Sequence, residues 1–234
     1  MRVAILGAMP EEIEPLLENL EDIIRVDYAS NTYYKAKYKG VEVVVAYSKI
    51  GCAFSALTAT LLIEHFKCDT LLFSGVAGAI NSDYKIGDMI VANRLCKHDL
   101  DITAFGHPPG FVPEGKVFIH SSKELVDLAK EVAESKGIEL KEATIATGDQ
   151  FVSSPDVKEK ISNTFNADAI EMEGYPVALV CDALNVPFVV LRAISDSADM
   201  DASFDFDTFL EESAKVSANF ILDMVERLGK KQES

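Results

Sequence analysis

The segment FVVLRAISD, residues 188–196, is a run of apolar residues that is interrupted by one arginine and closed by Ser195-Asp196. A short, β-branched run of this kind is typical of a strand that is buried in a sheet. Arg192 inside such a run needs an anionic partner, because an unpaired buried charge is costly. The candidate partners are three glutamates: Glu12, Glu171 and Glu173.

Apolar runs of similar length recur along the chain and alternate with stretches of helical periodicity. We predict strands at 3–6, 33–38, 41–47, 70–74, 88–92, 143–146 and 169–173. We predict helices from Pro10 onward and at 53–66, 125–135, 177–184 and roughly 206–228. This alternation favours an α/β fold whose sheet is covered on both sides. The length of 234 residues suits one domain, 1–234.

The composition disfavours several classes of partner. The formal net charge of −16 repels phosphate backbones and anionic lipid surfaces, so we expect neither nucleic acid nor membrane as a partner. The four cysteines are widely spaced and form no CxxC motif, which indicates reduced core thiols in a cytoplasmic protein. The sequence has no apolar run of membrane-spanning length. It also has no spacing of residues typical of zinc ligands, so we expect no metal.

Acidic residues fall at the ends of predicted strands, where ligands of α/β sheets usually bind. Glu12 follows the first strand, Asp196 closes the last, and Glu171-Met172-Glu173 would place two carboxylates on one face of an extended segment. Each acid also has a purely structural interpretation. Glu12 could favour the helix dipole, one of the paired glutamates could face solvent, and Ser195 or Asp196 could be a helix N-cap.

Two further segments contain enough glycine or proline to interrupt regular structure. Gly75-Val76-Ala77-Gly78 could cradle a phosphate, although no Lys-Ser/Thr pair follows it, or could supply small residues for tight packing. Residues 97–113 predict a long loop, and a loop of that length in a compact domain often has a function.

Taken in order, these motifs resemble those of the 5′-methylthioadenosine/S-adenosylhomocysteine nucleosidases, members of the purine nucleoside phosphorylase superfamily. The resemblance covers essentially the whole chain and is carried by the segments 5–12, 48–51, 75–78, 98–105, 148–151, 171–174, 192–196 and 206–207. Segments 46–51, 73–78 and 107–108 are similar to the epsilonproteobacterial branch, whose enzyme also cleaves 6-amino-6-deoxyfutalosine in a menaquinone pathway. The family implies a nucleoside phosphorylase-like three-layer sandwich, with a central mixed, twisted sheet flanked by helices.

The resemblance implies a hydrolase that needs no cofactor and releases adenine from 5′-methylthioadenosine, S-adenosylhomocysteine, 5′-deoxyadenosine and 6-amino-6-deoxyfutalosine. Asp196, helped by Ser195, would donate a proton to purine N7, and burial would have to raise its pKa for that role. Glu12 would orient and deprotonate the attacking water, with Arg192 nearby.

The resemblance also implies the residues that bind the substrate. Glu173 would bind the ribose hydroxyls and Met172 would pack on the sugar. Phe151 would stack on the base, and the backbone of Val152 would bind its edge. The 5′ pocket would be formed by Met9, Ile50 and Phe206, together with Phe105 and Pro113 from the second subunit of a homodimer.

The chain departs from the family pattern at two places. Val76 stands where some relatives have serine near the sugar, and Gly174-Tyr175-Pro176 replaces a more usual run of small residues. Two rival functions remain. A phosphorolytic enzyme of the same fold would need several cations for phosphate, and the chain has only five arginines. A nucleoside-binding protein without catalysis would bind tightly and release no adenine.

Overall fold

A computed structural model of the chain describes residues 1–196 and 202–233, with side chains described for 1–196 and 209–231. The strands in these residues are β1 Arg2–Gly7, β2 Glu21–Tyr28, β3 Asn31–Tyr38, β4 Val41–Tyr47, β5 Thr70–Phe73, β6 Val76–Ala79, β7 Met89–Lys97, β8 Phe118–His120, β9 Leu140–Thr147, β10 Ala169–Glu171 and β11 Phe188–Asp196. The helices are α1 Pro10–Leu17, α2 Cys52–Glu64, α3 Lys123–Lys136, α4 Pro155–Phe165, α5 Gly174–Leu184 and α6 Ala202–Glu233.

The strands form one mixed sheet in the order β2-β3-β4-β1-β5-β11-β6-β10-β9-β7-β8. Each adjacent pair is parallel within the series β4-β1-β5-β11-β6. The next pair, β6 and β10, is antiparallel. Strand β7 also pairs with β11 in the antiparallel sense, so that β11, β6, β10, β9 and β7 close into a barrel. Strands β10 and β11 both pair with β6, where Ile170 and Asp196 lie opposite Gly78, so the last residues of the two strands lie in the same region of the molecule.

Helices cover the sheet on both sides and bury its apolar residues. Helices α2 and α5 pack against each other in one core cluster with the inner residues of β5 and β11. Helices α1, α3 and α6 pack in the second cluster, on the opposite face of the same strands. A third, smaller cluster lies beneath α4. The expected α/β architecture, a central mixed sheet flanked by helices, is therefore confirmed.

Several local predictions were wrong or incomplete. Gly75-Val76-Ala77-Gly78 is not a phosphate loop, because Val76–Ala79 is the buried strand β6 between β11 and β10. The extended segment predicted at 169–173 ends at Glu171, whose carboxylate accepts the backbone N–H groups of Glu173 and Gly174 and turns the chain into α5.

Strands β2 and β8 and helix α4 were not predicted from the sequence. Strand β2 is exposed along almost its whole length, and it was overlooked although Ile24, Val26 and Tyr28 alternate with Arg25 and Asp27. Helix α4 was missed because its buried face includes Lys158 at a position where a helical pattern would have an apolar residue. Among the described residues, the helices are too short or too polar to cross a membrane.

Candidate active site

The acids at the strand ends converge on one cavity of about 300 Å³. Glu12 reaches it from the start of α1, Asp196 from the end of β11, and the Glu171–Glu173 segment from the end of β10. The predicted site residues that line this cavity are Met9, Glu12, Ile50, Val76, Phe151, Val152, Met172, Glu173, Ser195 and Asp196. Residues from most of the length of the chain thus meet at one place.

Glu12 is fixed at the first turn of α1 by three backbone N–H groups. Its Oε2 accepts hydrogen bonds from Ala8 and from Met9 (3.2 Å), and its Oε1 accepts one from Val76 (3.0 Å). The side chain is buried, and burial raises its pKa, although nearby Arg192 and the three N–H groups oppose that rise. Glu12 is therefore a rigid carboxylate of enhanced basicity at the edge of the cavity.

Arg192 pairs with Glu171, which decides among the three glutamates that the sequence left as candidates. Its Nη2 lies 2.8 Å from Glu171 Oε2, and its Nη1 donates to the carbonyl oxygens of Phe73 and Leu191. The guanidinium also lies 4.0 Å from the centre of the Phe73 ring. Arg192 does not line the cavity but lies behind its wall, where it forms an ion pair with Glu171.

Glu173 occupies the N-cap position of α5, just after β10 ends. Its Oε1 accepts the backbone N–H of Gly51 at 2.7 Å, which ties it to the start of α2. Burial raises its pKa to about 8, and repulsion from the neighbouring Glu171 acts in the same direction. The Glu171–Glu173 pair is thus buried on both members, and the solvent-facing interpretation of either one is wrong.

Replacing Glu173 by glutamine should make the protein's stability less dependent on pH. With a pKa of about 8 when folded and 4.5 as its ordinary value, wild-type Glu173 loses its proton more readily from the unfolded chain. The free energy of unfolding should therefore fall as the pH rises from about 4.5 to about 8. We expect the thermal midpoint of Glu173→Gln, relative to wild type, to be higher at pH 8 than at pH 5. Exposed Glu18→Gln is the control, and parallel curves for Glu173→Gln and wild type would contradict the assignment.

Asp196 is the last residue of the buried strand β11. It is buried, and its Oδ1 accepts a hydrogen bond from the Ser195 hydroxyl at 3.0 Å. Its carboxylate packs against Gly78 of β6, where an added Cβ would lie 2.5 Å from Asp196 Oδ2. The glycine in β6 therefore makes room for the acid.

One charged residue beside Asp196 was missed by sequence reasoning. The Nζ of Lys158, on α4, lies 3.8 Å from Asp196 Oδ2, and both side chains are almost completely buried. Lys158 has the helical spacing that places it on the same face as the buried Ile161 and Phe165. This spacing could have predicted a buried lysine, but only if α4 had first been predicted as a helix.

Phe105 and Pro113 do not line this cavity in a single copy of the chain. Phe105 belongs to a 3₁₀ turn, Thr103–Phe105, and is 81% exposed, and Pro113 is also exposed, in the same long loop. Phe206 lies in α6, but its side chain is outside the described residues. Across the described part of the chain, the His, Cys, Asp and Glu side chains form no cluster suited to a metal ion.

Comparison with known proteins adds an independent line of information. A profile of the Phosphorylase superfamily matches residues 2–226. The chain is 56% identical to the aminodeoxyfutalosine nucleosidase of Campylobacter jejuni, covering 97% of this chain and 100% of the relative. It is 39% identical to a 5′-methylthioadenosine/S-adenosylhomocysteine nucleosidase of Haemophilus influenzae, with 97% and 100% covered. The futalosine hydrolase structure of Helicobacter pylori superposes with a TM-score of 0.95 at 48% identity, covering 97% of this chain and 98% of that one.

Proposed function

The chain belongs to the phosphorylase superfamily and, within it, to the 5′-methylthioadenosine/S-adenosylhomocysteine nucleosidases, and from this premise we propose that it releases adenine from 5′-modified adenine nucleosides by hydrolysis. The observation that supports this reaction best is the convergence of Glu12, Glu173 and Asp196 on one cavity. An N-glycosidic bond needs a proton donor for the leaving base and an activated water on the sugar. Asp196 is the candidate proton donor, and Glu12 is the candidate base that activates the water.

In the proposed reaction, the C1′–N9 bond breaks and its electron pair stays with the purine. Asp196 gives a proton to N7, so that adenine leaves as a neutral base. A water oxygen bonds to C1′ and its proton passes to Glu12, whose carboxylate is held in place by backbone N–H groups. The positive charge that develops on the ribose faces the carboxylate of Glu12, which favours the transition state over the neutral substrate.

The remaining residues of the cavity suit a nucleoside. We assign the ribose hydroxyls to the buried carboxyl group of Glu173 and the sugar face to Met172, which is adjacent to it in the chain. The ring of Phe151 is partly exposed at the cavity and offers a surface on which a purine can stack. Val152 follows it and lies at the cavity wall, where its backbone can bind the edge of the base.

Hydrolysis fits the charges of this cavity better than phosphorolysis. Among the described residues that line it, none is a lysine or an arginine, and a Glu12 carboxylate would repel a phosphate ion. Arg192 is close enough to lower the pKa of both Glu12 and Glu173, but its contacts with Glu171 and two backbone carbonyls hold it behind the cavity wall. The space beside Glu12 therefore suits a neutral water molecule.

The 5′ side of the substrate determines which nucleosides are accepted. Met9 and Ile50 supply an apolar wall at the cavity, and Ile50 is half exposed, which leaves space for large 5′ groups. We propose 5′-methylthioadenosine, S-adenosylhomocysteine, 5′-deoxyadenosine and 6-amino-6-deoxyfutalosine as substrates. Val76 offers no hydroxyl to the sugar, so only its backbone N–H contributes, through its bond to Glu12.

A panel of these four nucleosides, followed by adenine release with and without inorganic phosphate, tests the function. We expect free adenine and a reducing sugar at rates that do not depend on phosphate. Strict dependence on phosphate would identify a phosphorylase instead, and tight binding without adenine release would identify a binding protein. The relative kcat/KM values rank the substrates.

We further propose a homodimer whose interface includes exposed apolar residues of α2 and α5. Phe54 and Leu57 on α2 and Leu179 on α5 are each about half exposed, although large apolar side chains on adjoining helices are usually covered. In such a dimer Phe105 and Pro113 of one subunit would complete the 5′ pocket of the other. The free, buried cysteines accord with a reducing, cytoplasmic location, which we also propose.

Leu57→Asp should convert the dimer into monomers, because an ionised carboxylate in an apolar interface is strongly unfavourable. Phe105→Ala should leave the dimer intact and raise the KM for 5′-methylthioadenosine by about 10-fold, because it removes one large apolar contact. Sedimentation velocity and steady-state kinetics provide the two measurements. Ile24→Asp, at an exposed position of β2, is the matched control. A monomeric wild type would refute the proposal.

A further inference from the structure

Helix α4 buries a lysine on the face that it turns toward the core. Its buried residues are Lys158, Ile161 and Phe165, which follow the spacing of one helical face. Lys158 is only 3% exposed, although lysine is among the residues least often found buried. An ammonium group in that position requires compensation by negative charge.

The negative charge is the candidate acid of the reaction. Lys158 Nζ lies 3.8 Å from Asp196 Oδ2, and the exposed fractions of the two side chains are 4% and 5%. Each of the two side chains also has further contacts. Asp196 lines the cavity whereas Lys158 does not, so the ammonium group lies behind the carboxylate as seen from the substrate.

We propose that Lys158 is a positioning residue that promotes proton transfer from Asp196 to the leaving adenine. This inference rests on the proposed function and adds to it a residue that acts through the acid. In the resting enzyme the two groups form an ion pair. Asp196 takes up a proton from solvent when the substrate binds, so that it is neutral in the reactant state. After transfer to N7 it is a carboxylate, and the adjacent ammonium group stabilises the negative charge that it has gained.

The timing of this charge makes the interaction catalytic rather than merely structural. The C1′–N9 electron pair moves onto the purine while the proton leaves Asp196, so negative charge grows on Asp196 throughout bond cleavage. The attraction to Lys158 is therefore stronger in the transition state than in the substrate complex, which is the condition for a higher kcat. After each turnover the proton held by Glu12 is released to solvent and Asp196 is protonated again.

Helix α4 also connects the residues proposed to bind the purine with the residue that contacts Asp196. Helix α4 begins at Pro155, three residues after Val152, and Lys158 follows within its first turn. The chain therefore passes from the base-binding residues Phe151 and Val152 directly to the group that contacts the acid. A rigid helix start at this point fixes Asp196 relative to the purine edge that it protonates.

Lys158→Met removes the ammonium group while keeping the shape of the side chain, and Lys158→Arg keeps the charge. Two substrates are compared: 5′-methylthioadenosine, whose adenine needs a proton to leave, and the 4-nitrophenyl glycoside of 5-methylthioribose, whose nitrophenolate leaves without one. Lys160→Met, an exposed lysine on the same helix, is the matched control. Circular dichroism and thermal midpoints verify that each variant is folded.

We expect Lys158→Met to lower kcat for 5′-methylthioadenosine by roughly 10- to 100-fold. The rate with the nitrophenyl substrate should change by less than about 3-fold, and Lys158→Arg should recover most of the lost kcat. Equal losses on both substrates would assign Lys158 a structural role, and an unchanged kcat would overturn the proposal outright. If wild-type protein released no adenine at all, the proposed function would fail instead.

Discussion

Asp196→Asn should lower kcat for adenine release by about 10²- to 10⁴-fold, the range in which a single general acid contributes to catalysis. Asparagine has nearly the shape of aspartate and can still accept the Ser195 hydroxyl bond, but it has no proton to give to N7. The substrate should still bind, because the stacking surface and the ribose contacts are unchanged. The loss should therefore appear in kcat and not in the dissociation constant of 5′-methylthioadenosine.

The measurements are adenine release in steady state and substrate binding by calorimetry. Asp156→Asn, an exposed position in the first turn of α4, is the matched control and should retain wild-type kcat. Replacing the carboxylate also removes the partner of the Lys158 ammonium group, so the thermal midpoint of Asp196→Asn should fall. Folding is therefore checked at the assay temperature. A kcat close to wild type would remove Asp196 from the mechanism.

Glu12→Gln should have the second large effect, on both catalysis and stability. The amide is not a base, so we expect kcat to fall by about 10²- to 10⁴-fold. The carboxylate accepts N–H groups on both oxygens, from Ala8 and Met9 on one side and Val76 on the other. Glutamine can accept on one side only and leaves at least one buried N–H group without its acceptor, which costs about 1–3 kcal/mol of unfolding free energy.

Steady-state kinetics and denaturant unfolding measure these two effects separately. The neighbouring Glu11 is exposed in the same first turn of α1, so Glu11→Gln is a matched control that should change neither quantity appreciably. A Glu12→Gln variant that is destabilised but retains its kcat would show that the buried carboxylate serves only to cap the turn. That outcome would restore the structural interpretation of this residue.

These two acids illustrate what local sequence can predict. The apolar run 188–194 predicts a buried strand, and the structure confirms that strand as β11, which extends to Asp196. The hairpin at 33–38 and 41–47 is likewise confirmed as β3 and β4, because both the strands and their turn are defined within a few residues. The positions of Glu12 and Asp196 at strand ends followed directly from such assignments.

Other features depended on pairs of residues that are distant in the chain. The requirement that Arg192 have an anionic partner was visible in the sequence, but the choice of Glu171 depends on how β10 and β11 are brought together around β6. The pairing of β6 with β11 places Gly78 against Asp196, and the segment 75–78, whose composition is that of a loop, therefore contributes to a buried strand. Neither result follows from periodicity within a segment.

By itself, the sequence determined the fold class, the buried strand around Arg192 and the set of acids that can carry out glycosidic chemistry. These features can be predicted from sequence because the burial of apolar and charged side chains within one helix or strand leaves a pattern that spans only a few residues. Only the tertiary structure decided which carboxylate neutralises Arg192, why β6 needs a glycine, and that Lys158 lies behind Asp196. The physical reason is that the energy of a buried charge depends on the groups within a few ångströms, and the fold brings those groups together from distant positions in the chain.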